Sequence, residues 1–98
     1  MHIDNVIEWS EEKAEWLKKE RGIDMHEVSS IIASRDIIAI ETVPNQEAHP
    51  DQKMFIISYH EYIHCVPYVY DKCGNLFLKT VFPSRVHQKI YGGKNEKD

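Results

Sequence analysis

The chain is poor in cysteine. Two among 98 residues, Cys65 and Cys73, are too few for a disulfide framework, and one in a strand pattern with the other in a turn reads as two free thiols. Glycine is equally sparse, and no glycine-rich run or serine-nucleophile motif occurs that would cradle a phosphate or attack an ester. Nowhere do about 18 apolar residues follow one another, as a membrane-spanning helix needs. The opening "MHIDNVIEWSEEKAEW" has no basic start followed by an apolar stretch, so a cytoplasmic protein without a membrane association is expected. Strong positive charge is missing too: the net charge is -4, against a dedicated nucleic-acid coat but compatible with a small basic site. Six histidines show neither His-x-x-x-His nor a supporting Cys-x-x-Cys, so neither a metal nor a cofactor is expected.

What is present suits one compact domain, residues 1–91, followed by a polar tail over 92–98. A hydrophobic share of 42% with ten aromatic residues, five Tyr, three Phe and two Trp, is enough to bury a core. His2–Trp9 alternates like a short strand. Ser10 can cap a helix whose first turn is acidic (Glu11, Glu12), whose last turn is basic (Lys18, Lys19, Arg21), and which Gly22 ends. Asp24 with Glu27 reads as a capping box, and Met25, Val28, Ile31 and Ile32 recur at helical spacing, giving a second helix from about Asp24 to Ser34. The β-branched run from Ile37 to Val43 is a strand stopped by Pro44, and Pro44–Lys53 is a long polar loop.

Three further runs, Met54–Tyr59, Tyr62–Tyr70 and Leu76–Phe82, are joined by His60-Glu61 and by a turn at Gly74-Asn75, and form an antiparallel meander. Pro67 inside the middle run suggests a bulge or a sheet edge there. A short helix from Ser84 to Tyr91 closes the chain. The fold class is therefore α+β, with an N-terminal strand and two helices packed on one face of a four- to five-stranded antiparallel sheet.

"IEWSEEKAEWLKKERGIDMHEV" followed by strands ending in "FPSR" resembles the BrnT family of toxins from bacterial type II toxin–antitoxin pairs, compact RelE-like ribonucleases. Glu8, Trp9 and Lys13 match the family's opening pattern, Gly22 its glycine after the first helix, and Ser84-Arg85 its small-residue–arginine motif before the last helix. The chain departs from the pattern at Ser10, at Leu17 and at Glu20-Arg21. The family's histidine before that glycine is thus absent, and His60, His64 or His87 would have to replace it. The resemblance implies a metal-independent endoribonuclease, an mRNA interferase acting on RNA free or on the ribosome. It also implies neutralisation by a cognate antitoxin, typically a ribbon-helix-helix protein. Exposed edge strands leave room for a homodimer or for a hetero-oligomer with that antitoxin.

Such cleavage needs a base or acid near neutral pKa and cations where phosphate charge develops. Arg85 is the first candidate, because its planar fork can hold two phosphate oxygens. Lys13 follows as the match to the family's lysine. Alternation along a single strand places Lys79 opposite Leu76, Leu78 and Phe82, on the sheet face free of helices. The same reasoning sends Ile63, Cys65, Pro67 and Val69 to the core and His64, Tyr68 and Tyr70 to the free face. His64, Lys79, Arg85 and Lys13 are thus the expected catalytic set, with Tyr68, Tyr70 and Lys89 as RNA contacts. A non-catalytic protein-binding module on the same scaffold is the alternative.

Overall fold

The computed structural model describes residues 6–43 and 52–92. In chain order the elements are β1 (Ile7–Trp9), α1 (Glu11–Arg21), α2 (Met25–Ala33), β2 (Ala39–Thr42), β3 (Lys53–Tyr59), β4 (Tyr62–Tyr70), β5 (Leu76–Leu78), β6 (Phe82–Pro83) and α3 (Arg85–His87), which runs on as a π-helical turn over Gln88–Gly92. The α+β class holds. The expected start of the first strand at residues 2–5, most of the polar loop (44–51) and the tail from 93 lie outside the described residues.

Helix boundaries follow the local chemistry. Ser10 caps α1 by accepting from Lys13 N–H, and Gly22 ends it in the left-handed region (φ 69°), a conformation glycine adopts without the Cβ penalty. Asp24 caps α2 by accepting from His26 N–H. Of α1 only Leu17 is buried, whereas α2 buries Met25, Val28 and Ile32. That matches the apolar stripe read from the sequence and leaves most of α1 for solvent or a partner.

The sheet is open and mixed, in the order β1-β5-β4-β3-β2, with β6 also beside β4. One expectation fails here: β1 lies parallel to β5, Ile7 against Leu76. Alternation specifies which face a strand buries and says nothing of its direction. The meander itself is antiparallel, as expected. Its tight turn uses His60 and Glu61, both at positive φ (51° and 65°), where asparagine and glycine are the usual occupants.

The third run is not one strand. Leu78 pairs with Tyr68 and Phe82 with Cys65, so four steps on this side oppose three on β4: an inserted residue, the definition of a bulge. Its cause lies across the ladder. Lys79 N–H donates to Pro67 C=O, so Pro67 turns its backbone toward this neighbour, and the ring nitrogen has no hydrogen to return. Pro67 itself stays inside β4; the interruption is passed to the partner strand at residues 79–81.

The inserted residue inverts the facing. Leu76, Leu78, Val66, Tyr68 and Phe55 join Leu17, Met25, Val28 and Ile32 in the main core under the helices. Met54, Ile56, Ile63 and Cys65 form a second cluster on the other face, against Ala39 and Tyr91. The parity read from β4 is therefore reversed. Both faces of β4 are buried from Ile63 to Pro67, and when a strand is covered on both sides, apolar alternation no longer tells one side from the other. The missing information was the roof over the second face, formed by the C-terminal segment.

Candidate nucleic-acid interface

Reversal of the β4 facing removes two of the expected site residues from the surface. His64 is buried on the helix-covered face, its ring edge-on to Tyr59 at 5.2 Å and its Nδ1 2.8 Å from the Tyr62 carbonyl. Burial pushes its pKa below the ordinary histidine value, outweighing the hydrogen bond to Tyr62. Tyr68 is buried as well, stacked on Phe55 with ring centroids 4.1 Å apart. Tyr70, at the strand end, is exposed and meets Tyr68 edge to face at 5.8 Å. Neither His64 nor Tyr68 is placed to meet RNA.

Lys79 follows β5 in the bulge rather than standing mid-strand, and its side chain reaches a hollow of about 410 Å³ shared with Ser10, Glu12, Lys13 and Trp16. A second hollow of about 190 Å³ continues from Lys13 and Trp16 past Leu17 and Arg21 to the segment from Thr80 to Pro83. Two expected residues, Lys13 and Lys79, thus share one depression. Two others that define it were not anticipated: Trp16, 46% exposed, and Arg21. The Lys13 ammonium lies 5.4 Å and the Arg21 guanidinium 5.3 Å from the Trp16 ring centre, within cation–π range. The sequence carried a signal for the first pair, because residues three apart on a helix are neighbours. It carried none for Lys79, which the bulge brings round.

Arg85 follows this depression by two residues, no more than about 7.6 Å from Pro83 between Cα atoms. It is exposed and makes no ion pair among the described residues. Arg85 and Lys79 therefore do not converge beside phenol rings in a single pocket. The cations instead run in sequence around the end of the sheet, from Lys79, Lys13 and Arg21 to Arg85, and Lys89 is exposed one turn further on.

The C-terminal segment beside Arg85 is tied to the sheet by polar contacts. Ser84 caps α3 by accepting from His87 N–H. Ser84 N–H donates to Ile63 C=O at 3.0 Å, and Ile63 N–H donates to Gln88 Oε1 at 2.9 Å. His87 Nε2 meets Glu41 Oε1 of β2 at 2.9 Å, and Tyr91 O–H donates to Glu41 Oε2 at 2.6 Å. These bonds, from Tyr91 first and His87 second, hold the Glu41 carboxyl below its ordinary pKa. The same contact pushes the Tyr91 phenol up. Glu41 was not anticipated, although a lone carboxylate inside the apolar run "IIAIETV" was the available signal.

Compared with protein-family models, with curated proteins and with solved structures, the chain matches none of them. No helix among the described residues is long and apolar enough to cross a membrane.

Proposed function

We propose that this chain is the toxin of a bacterial type II toxin–antitoxin pair, a BrnT-like protein of the RelE-like ribonuclease group that cleaves RNA in the cytoplasm and is silenced by a cognate ribbon-helix-helix antitoxin. The observation that carries the reading is the placement of Lys13 and Arg21 against the exposed ring of Trp16, with Lys79 on the same depression. In a chain of net charge -4, three cations around one aromatic surface are a local reversal of sign. That combination suits a single-stranded phosphate backbone whose bases can stack. Arg85, at the rim, is the cation for the charge that develops on the phosphate during cleavage.

Expression of the protein alone in bacteria should arrest growth, and the purified protein should cut RNA, free or on ribosomes, leaving 2′,3′-cyclic phosphate ends. Lys13→Ala with Arg21→Ala should restore growth. Unimpaired growth together with intact RNA in both assays would sink the reading.

The binding-module alternative has its own support. Phe82, Val86 and Ile90 are 40%, 65% and 63% exposed and recur at four-residue intervals, flanked by Arg85 and Lys89. Such a stripe fits an amphipathic, acidic partner segment. The same surface serves an antitoxin under the first reading, so the RNA assays separate the two.

A further inference from the structure

The sheet face that α1 and α2 leave open brings together five chemistry-bearing side chains from three separate parts of the chain. Glu41 comes from β2, Cys65 from β4, and Ser84, His87 and Tyr91 from the C-terminal segment. Ser84 Oγ is 2.6 Å from His87 Nδ1, the Cys65 thiol sulfur lies 3.5 Å from the same nitrogen, and His87 Nε2 is 2.9 Å from Glu41 Oε1. An ionised carboxylate can only accept, so Nε2 carries the hydrogen on that side. In the neutral ring Nδ1 then presents its lone pair, and the Ser84 hydroxyl donates to it. The sequence hydroxyl, imidazole, carboxylate is that of an activated oxygen nucleophile or proton carrier. Tyr91 fixes the outer carboxylate oxygen.

Capping alone does not account for this chain of contacts. As a cap, Ser84 needs only to accept from His87 N–H. Neither an imidazole on the hydroxyl nor a carboxylate reaching that imidazole from β2 adds to it. The position matters equally: Ser84 is the residue directly after Pro83, where the cation-lined depression ends, and directly before Arg85.

We propose that Ser84 and His87 form the proton relay of RNA cleavage, with Glu41 as a positioning residue and Arg85 as the adjoining cation. This rests on the ribonuclease reading and names the residues that would perform it. The ribose 2′-hydroxyl gives its proton to Ser84 Oγ while the serine's own proton passes to His87 Nδ1. The 2′-oxygen forms its bond to phosphorus, the bond from phosphorus to the 5′-oxygen breaks, and that oxygen takes a proton from water. The imidazolium, held by Glu41, returns its proton to the hydroxide so formed. The products are a 2′,3′-cyclic phosphate and a 5′-hydroxyl, with no net consumption of water.

Ser84→Asn separates the relay from the cap, because asparagine caps helices as well as serine does but has no hydroxyl to relay a proton. With a short fluorescein-labelled single-stranded RNA, Ser84→Asn and His87→Gln should each bind within about twofold of wild type and cleave at least about 100-fold more slowly. Glu41→Gln should lower kcat about tenfold and leave KM unchanged, the split expected of a group that orients the base without touching RNA. A Ser84→Asn protein that melts like wild type and cleaves within about threefold of it would overturn the relay while leaving the ribonuclease reading intact. A rise in KM at constant kcat for Glu41→Gln would overturn its positioning role. Wild-type protein that binds the RNA and leaves it whole would overturn both readings together.

Discussion

The two faces of the sheet are held by different physics. Under α1 and α2 lies a cluster of thirteen buried residues, from Leu17 to Val81, large enough for apolar burial to fix that side by itself. Under the C-terminal segment only Met54, Ile56, Ile63 and Cys65 are buried. The segment is fastened instead by hydrogen bonds to Glu41 and to the Ile63 backbone. Burial is insensitive to pH and salt, whereas bonds to a carboxylate and an imidazole are not. Titratable groups have therefore collected on the lightly packed side, where stability is low enough for chemistry and for exchange of partners.

The largest expected break falls on the helix-covered side. Tyr68→Ala removes a stacked, buried ring and should cost about 3–5 kcal/mol, a large share of the roughly 5–15 kcal/mol of a domain this size. Tyr70→Ala, one alternation further along the same strand but exposed, should stay within about 1 kcal/mol of wild type in urea unfolding. Equal losses would refute the facing described for β4.

On the other side, Glu41→Gln weakens the contacts to Tyr91 and His87 and should cost about 1–2 kcal/mol. Hydrogen exchange should rise at the C-terminal segment and leave α2 protected. Uniform loss of protection would mean that the two sides unfold as one.

Acid should distinguish the sides next. His64 is held below the ordinary value of 6.5 by burial, so its proton binds the unfolded chain first, and stability falls as pH drops from 6.5 toward the folded pKa. Glu41 is held below 4.5 by Tyr91 and His87. Its contribution is complete above that value and is lost as pH falls through the folded pKa. His64→Leu should flatten the upper limb of the melting temperature against pH, and Glu41→Gln the lower. Neither substitution should alter the other's limb.

Element types and most boundaries were legible in the sequence because they rest on local chemistry: Ser10, Gly22 and Asp24 mark helix ends, and the β4 run ends where its apolar pattern ends. The facing of β4 was not legible. It depends on Pro67 forcing an extra residue into the neighbouring chain, and on a roof contributed by residues that follow the strand in sequence. The candidate site divides along the same line. Lys13 and Arg85 were found where a motif places them, and Trp16 and Arg21 were missed because an aromatic ring on a polar helix face looks like ordinary surface. His64 and Tyr68 were misplaced by the reversed parity.

The smallest structural effect and the most telling functional one meet at Trp16. Trp16→Ala should leave stability within about 1 kcal/mol of wild type while weakening RNA binding by about 1–3 kcal/mol. The central claim is tested most directly by titrating a short fluorescein-labelled single-stranded RNA across a salt series. The account expects affinity to fall with salt at a logarithmic slope of about -2, roughly 0.7 for each of the three cations. Joint replacement of Lys13, Arg21 and Lys79 by alanine should abolish most of that slope. Binding by the triple variant that matches wild type in both strength and slope would contradict it.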